Sequence, residues 1–459
     1  MKSFHLLRFA FQLFVFPIIV ITSATAQDHR VVRVTDSNAT SPAEVSLAIN
    51  PKNPANIVGV SFQYARKNPR VSNFLYVTKD GGKTWKTIPQ KNLRQLPQGD
   101  DSVAFAANGI VYHSFMSFDG IHVRRPERAF SGLMVSASND GGMTWNDPVA
   151  VIDHINSVTP FEDKPYIVTD NVDGSPNKNH VYLSWTRFDV YGSNAPEDRS
   201  HIYFSHSRDE GKSFSMPMRI SDEPGDCLDG DNTVEGAMTA AGLKGEIYAV
   251  WAGPKGLYFD KSIDGGWTFG KDKVITATPG GWDMKVDGIS RSNGMPVTKV
   301  DASKSRYRGS IYVNWIDERH GDPDVFVIAS RDGGETWSQP VRVNDDAVKN
   351  GKAQFFTWMA VDPMDGSINI VFHDRRDLEG TKTAVTLARS VDGGQTFVNH
   401  KIALPPFECQ SGVFFGDYNG IDAYNGLVVP IFPHFISSRD LAVSVALFRF
   451  KPGTQELLK

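Results

Sequence analysis

Thr78-Lys79-Asp80-Gly81-Gly82-Lys83-Thr84-Trp85 is one of six copies of a single turn, Ser/Thr-x-Asp-x-Gly-x-Thr/Ser-Trp/Phe. The others run from Ser138 to Trp145, Ser207 to Phe214, Ser262 to Phe269, Ser330 to Trp337 and Ser390 to Phe397. They recur at intervals of roughly 60 residues, the self-similarity of a repeat architecture in which each repeat is one supersecondary unit. The residue types explain the turn. An Asp side chain bonds backbone N–H groups just ahead of it, and glycines supply positive φ without a Cβ clash. The closing Trp or Phe is a large apolar anchor. Asp80, Asp140, Asp209, Asp264, Asp332 and Asp392 therefore read as turn braces, and none is offered for chemistry.

Upstream of the turns lies a second pattern, a β-branched and aromatic run of strand length bounded by Gly and Asp. Val111 to Phe115, Val181 to Trp185, Ile247 to Trp251 and Ile311 to Trp315 are clear copies, and Ile368 to Phe372 is a looser one. Leu427 to Ile431 continues the series with no turn of this kind after it. That last unit lacks an outer strand. Val31 to Thr35 resembles Val341-Arg342-Val343 and Met218-Arg219-Ile220, which follow earlier turns, so the N-terminal strand is expected to complete the C-terminal unit. Closure of this kind removes exposed sheet edges.

Each turn resembles the Asp box of the sialidase-like β-propellers, and the resemblance spans nearly the whole chain after Ala26. It implies an all-β fold, and the strand count makes it a seven-bladed β-propeller closed by the N-terminal strand pairing with the C-terminal blade. Inner strands are expected to start near Glu44, Asp101, Lys164, Val234, Gly294, Phe356 and Asp417. The familiar sialidases have six blades and a Phe-Arg-Ile-Pro motif ahead of the first box; this chain has seven units and no such motif.

Bulk properties bound the partners. With 459 residues, 40% hydrophobic, 22% charged and a net charge of −4, nothing in the composition argues for nucleic acid or a basic membrane arm. Residues 1–26 read as a signal peptide: Lys2 and Arg8, the apolar run Phe9 to Ile21, then Ala24-Thr25-Ala26. The run is too short for a membrane span. The expectation is a secreted or periplasmic monomer, cleaved near Ala26, with residues 27–459 forming one propeller domain. Cys227 and Cys409 are the two cysteines, and spacing leaves a disulfide and two free thiols equally open.

In a propeller, the loops leading into the inner strands share one face with those joining strands two and three, opposite the boxes. Those loops carry Asp100, Asp101, Glu162, Asp163, Lys164, Arg187, Tyr191, Arg291 and the runs Phe372-His373-Asp374-Arg375-Arg376 and Phe414 to Asn419. The catalytic candidates are Glu235, Asp417, Tyr418, Asp101 and His373: carboxyls for acid–base work, and Tyr418 beside Asp417 as the nucleophile arrangement the resemblance implies. Arg187, Arg291, Asp317, Arg319, Asp374, Arg375 and Arg376 are the substrate-binding candidates, because Arg beside Asp on a strand end can hold an anionic group bidentately. No cofactor is expected; Asp226, Asp229 and Asp231 could offer oxygen ligands to Ca²⁺ but lack the full calcium-loop spacing. The resemblance implies a carbohydrate ligand, and the leading expectation is a glycoside hydrolase acting on an anionic sugar. A uronate-cleaving polysaccharide lyase using His113, Tyr191, Arg187 and His373, and a non-catalytic glycan- or protein-binding propeller, are the alternatives.

Overall fold

Strands alone make up the regular structure in the computed structural model, which describes residues 29–64, 71–121 and 129–458. The leader read at residues 1–26 lies outside the described residues. Seven antiparallel sheets follow one another along the chain, each ordered from its inner to its outer strand. Blade 1 comprises Ala43–Ile49, Ile57–Tyr64, Val71–Thr78 and Lys86–Pro89; blade 2 begins with Gln98–Phe105, blade 3 with Phe161–Thr169 and blade 4 with Glu235–Ala241. Blades 5, 6 and 7 begin with Val297–Val300, Gln354–Val361 and Gly420–Tyr424. Blade 7 takes its outer strand from the other end of the chain: Arg30–Arg33 pairs with Leu441–Arg449, Val32 opposite Val445. The ring is a seven-bladed propeller closed as the sequence led one to expect.

Each turn of the Thr78–Trp85 type joins the third and fourth strands of its blade, and its hydrogen bonds follow the residue types. In the first copy Asp80 accepts the N–H groups of Lys83 at 2.9 Å and Thr84 at 3.0 Å and the Thr84 hydroxyl at 2.6 Å, while Thr78 accepts the Gly82 N–H at 3.0 Å. Neighbouring boxes are also latched: Lys79 donates to the Asp140 carbonyl at 2.5 Å and Lys261 to the Gly333 carbonyl at 3.0 Å. At Gly334, φ is +86° and an added Cβ would lie 2.2 Å from the Phe259 ring of the preceding blade. Gly334→Ala is expected to cost about 2–3 kcal/mol, the left-handed strain plus overpacking. Urea denaturation at neutral pH checks this, and a loss under 1 kcal/mol would mean the blades slide apart freely.

Between blades the core is aliphatic and aromatic, with Trp185, Trp251 and Trp315 of the second strands fully buried. Both cysteines are free and buried; Cys409 lies 3.3 Å from the Thr383 hydroxyl. Among the described residues no helix is long and apolar enough to cross a membrane.

One irregularity positions the site. The inner strands of blades 1, 2, 3, 4 and 6 each slip register near their start, between Ala43 and Ser46, Gly99 and Ser102, Asp163 and Tyr166, Glu235 and Met238, and Phe355 and Trp358. A left-handed residue sits in each bulge: Glu44, Asp100, Lys164, Gly236 and Phe356, with φ between 48° and 69°. A bulge re-aims side chains at the end of a strand. Three of the five carry charge, and non-glycine residues at positive φ cost of order 1 kcal/mol or more each. Such strain is found where surrounding structure over-determines it, and here it points charge at the axis.

Candidate active site

Lys164 is the hub. Its backbone N–H donates to Asp100 and to Asp163, both at 3.0 Å. Its ammonium, only 4% exposed, stands 2.6 Å from Glu235, 3.6 Å from Asp417 and 3.9 Å from Asp163. Arg291, on the long loop before blade 5, donates Nε to Asp417 at 2.9 Å, a second nitrogen to the other Asp417 oxygen, and a third to Asp229 at 2.7 Å. Tyr191 donates its hydroxyl to the same Asp229 oxygen at 2.8 Å. Six carboxyl groups (Glu44, Asp100, Asp163, Asp229, Glu235 and Asp417) thus meet two cations at one end of the axis.

Burial pushes Glu44 well above the ordinary carboxyl range, reinforced by Asp100 and Asp417. Asp163 rises for the same first reason, against the pull of Lys164. Burial also opposes ionisation of Asp100, yet its hydrogen bond with Glu44 and the charge of Lys164 hold it below the ordinary value. Glu235 and Asp229 divide in the same way. Burial raises Glu235, whereas at Asp229 Lys164 and Arg291 overcome burial and hold the carboxylate low. Lys164 itself is held well above an ordinary amine because Glu235, Asp163 and Asp229 outweigh the burial that would lower it. Carboxyls pushed toward the protonated and toward the ionised form therefore sit side by side, the arrangement in which one group can give a proton and another take it.

Above Lys164 opens a cleft of about 230 Å³. Glu44, Asp100, Asp163, Lys164 and Arg291 line its floor, and Phe62, Tyr64, Phe118, Phe161, Tyr191 and Phe414 line its walls. Phe62 stacks on Phe414 at 6.2 Å and Phe118 meets Phe161 edge-on at 6.1 Å, so the walls are ordered aromatic faces. Beneath Lys164 the axis narrows to a void of about 10 Å³ lined by Asp101 and Tyr418 among others.

Four of the five catalytic candidates gather around Lys164: Glu235 and Asp417 by ion pairing, Asp101 and Tyr418 through the void below it. Tyr418 is 8% exposed, packs against Trp358 and lines this small void rather than the larger cleft. Asp101 bonds His113 at 2.6 Å, and burial raises its carboxyl to about 6. His373 stands apart. It is fully buried among Phe355, Phe356, Phe407 and Phe415, contacts Asn419 and the Pro433 carbonyl, and burial lowers it to about 3.

The arginine grip does not assemble. Arg187 is bonded to Glu162, which also accepts from the Trp185 indole at 2.5 Å, and lies over the Tyr203 ring. Arg319 clasps Asp317, which again accepts an indole N–H, from Trp315 at 2.8 Å. Arg376 binds Asp374 at 2.6 Å, and Asp374 also accepts the Thr386 hydroxyl. Arg375 is 5% exposed, bonded to Thr383 and the Asp287 carbonyl. The recurring Arg-carboxylate pair is a brace near the end of the second strand in blades 3, 5 and 6. Of these candidates, Arg291 is the one that lines the cleft among the described residues. Arg375→Ala is expected to leave glycan binding unchanged while lowering stability by about 1–3 kcal/mol, the cost of buried hydrogen bonds lost at a charged group; parallel calorimetric titration and thermal melts check both halves.

Of the proposed calcium ligands, Asp226 accepts the Thr233 hydroxyl, Asp231 accepts the N–H groups of Trp282 and Asp283, and Asp229 serves Arg291 and Tyr191. Among the described residues no group of three or more His, Cys, Asp or Glu side chains is arranged to hold a metal ion. The sequence reading did not select Glu44, Asp100, Asp163 or Lys164. Their signal was position: charged residues at the same place ahead of successive inner strands.

The BNR/Asp-box repeat model matches residues 76–87, the first of the six turns. No curated protein matches the sequence. Among solved structures, a protein of unknown function from Dyadobacter fermentans is 12% identical with a TM-score of 0.51, covering 92% of this chain and 98% of its own. An ulvan lyase of the polysaccharide lyases, bound to a GlcA(1-4)Rha3S unit, is 12% identical with a TM-score of 0.50, over 90% and 95%. The NanB sialidase of Streptococcus pneumoniae is 11% identical with a TM-score of 0.49, over 91% and 94%. At these identities the likeness is one of fold. The matched repeat, its five further copies and the ring of seven sheets make this chain a seven-bladed β-propeller built on Asp-box repeats.

Proposed function

We propose that the chain is an exported glycan-processing hydrolase whose chemistry is run by the carboxyl floor of the cleft. One observation carries the reading: carboxyls that burial pushes up, Glu44 and Asp163, lie beside Asp100, held low, in an aromatic-walled cleft of about 230 Å³. Hydrolysis of a glycosidic bond needs a carboxylic acid to protonate the leaving oxygen and a carboxylate to act on the other side. Glu44 or Asp163 supplies the proton, and Asp100, which shares a hydrogen bond with Glu44, is the ionised partner that exchanges it. Aromatic faces such as Phe62, Phe161 and Tyr64 suit the apolar face of a sugar ring.

The expectation of an anionic sugar is not carried forward. Arg187, Arg319, Arg375 and Arg376 are committed to braces, and Arg291 is neutralised by Asp417 and Asp229. A sugar recognised by its hydroxyls and ring face fits this floor better. Lyase chemistry of the kind named for the ulvan lyase neighbour finds less support. His113 and His373 are fully buried away from the cleft, and the Tyr191 hydroxyl is already donated to Asp229.

A panel of chromogenic glycosides, neutral, sialylated and uronic, tests the proposal. Release of chromophore from a neutral glycoside, without the absorbance of an unsaturated product, is the expected result. Turnover confined to sialosides or uronides, or elimination products, would overturn the substrate assignment. Binding without turnover across the panel, unaffected by Asp100→Asn, would overturn the enzymatic reading.

A further inference from the structure

Two rows of aromatic rings run along the cleft, and both start at Arg291. In one row the guanidinium lies 5.7 Å from the Phe414 ring, Phe414 stacks on Phe62, and Phe62 meets Tyr64 edge-on at 5.5 Å. In the other, Asp229 accepts from both Arg291 and the Tyr191 hydroxyl, Tyr191 lies 5.2 Å from Phe161, and Phe161 meets Phe118. The rows lead from the charged cluster to the rim, where Tyr64 is 40% exposed against 4% for Phe62. Away from the charged floor, the lining between them is completed by Val71, Met116, Ile121, Gly99 and Gln98. Gln98 is committed elsewhere: its oxygen accepts the Asn73 N–H at 3.4 Å and its amide donates to the Lys91 carbonyl at 3.3 Å. A second sugar placed there would find a ring to stack on but almost no partner for its hydroxyls, and burying a polar group without a partner is unfavourable.

We propose that the outer half of the cleft, between Tyr64 and Val71 on one side and Phe118 and Ile121 on the other, is a subsite for an apolar aglycone. The group it takes is an aryl ring or a short alkyl chain, joined to a single sugar seated on the carboxyl floor. Size agrees: about 230 Å³ lies below the roughly 300–1,000 Å³ usual for ligand sites, which suits one sugar with a short substituent rather than a run of sugars. Polarity agrees too, because charge is confined to the axial end and aliphatic side chains to the other. Floor and rows meet where the oxygen between sugar and aglycone must lie. Phe62 pairs with Ala43, the neighbour of Glu44, and Phe161 stands two residues before Asp163 on one strand, so both proton donors flank the junction. Phe62 and Phe161 thus keep the apolar face of the sugar, and the rings and methyl groups beyond them take the aglycone. This assignment rests on the glycoside reading of the cleft for its polar end; its apolar end follows from the walls.

The full chain is titrated with methyl, butyl and phenyl β-D-glucosides, with 1-butanol and with cellobiose, while the methyl resonances of Val71, Met116 and Ile121 are followed by NMR. The butyl glucoside should bind roughly 10–50-fold more tightly than the methyl glucoside, up to about 4-fold for each buried methylene. Butanol alone, which needs no sugar, should move the same three resonances. Phe118→Asn should remove most of the butyl advantage and leave methyl glucoside binding unchanged; Ile121→Asn, at a partly exposed turn, is the second variant if the first does not fold. Equal affinity for methyl and butyl glucosides, three resonances unmoved by butanol, or cellobiose binding there more tightly than the butyl glucoside would overturn the proposal. The two readings fail separately. Chain-length-dependent binding with no turnover of any glycoside strikes the hydrolase and leaves the apolar subsite, whereas turnover with no preference for butyl or phenyl over a second sugar strikes the subsite and leaves the hydrolase.

Discussion

Lys164→Met is expected to lower folding stability by about 3–5 kcal/mol at pH 7, the cost of stripping the partner from buried charge. The ammonium is 4% exposed, so solvent screening does little to soften the loss. Four carboxyl groups, Glu235, Asp163, Asp417 and Asp229, surround it or feel its charge. Asp100 and Asp229 are held below their ordinary values with its help. A carboxylate held low contributes stability above its unfolded pKa and loses it as pH falls through the lowered folded value. Lys164, held high, contributes fully at neutral pH and loses its share only in strong alkali. The gap between wild type and variant should therefore be wide at pH 7 and should shrink below about pH 4. Urea denaturation across that range measures it. A gap that stays constant with pH would mean that lost packing, rather than lost charge, set the cost.

The second large effect concerns the reaction. Asp100→Asn and Glu44→Gln are each expected to reduce kcat/KM on a cleaved glycoside by about 10²–10⁴-fold, the range for removal of a positioned acid or base. Because Asp100 is held low and Glu44 high, activity should need one deprotonated and one protonated group. The profile should be bell-shaped, with Asp100→Asn removing the acid limb and Glu44→Gln the alkaline limb. Asp163→Asn is the comparison: with Glu44 delivering the proton it should leave the alkaline limb in place, and a flattened limb there would move the acid role to Asp163. Thermal melts run alongside keep a folding defect from passing as a catalytic one. If all three variants retain wild-type kcat/KM, the cleft floor is not the reacting centre.

Arg319 and Arg376 show why the site was harder to read than the fold. An arginine next to an aspartate at a strand end looks the same in sequence whether it grips a ligand or clamps its own blade. Only the observation that Asp317 also accepts the Trp315 indole, and Asp374 the Thr386 hydroxyl, turns both pairs into braces. His373 was hard to place for a related reason: the rings that enclose it come from three separate places in the chain. Glu235 and Asp417 could be singled out in the sequence because each leads into an inner strand, and that position follows from the repeat.

The sequence by itself determined the turns, the blade count and the closure of the ring. Each rests on local chemistry: an Asp that braces its own next few N–H groups, glycines at positive φ, and strands whose alternation needs no distant partner to be recognised. The tertiary structure alone decided which charges meet. Bulges at Glu44, Asp100 and Lys164 turn three side chains inward from three blades, and the loop of Arg291 crosses to Asp417 of blade 7. Electrostatic character depends on distances between residues far apart in the chain and on their shared burial, and neither quantity is written in a local stretch of residues.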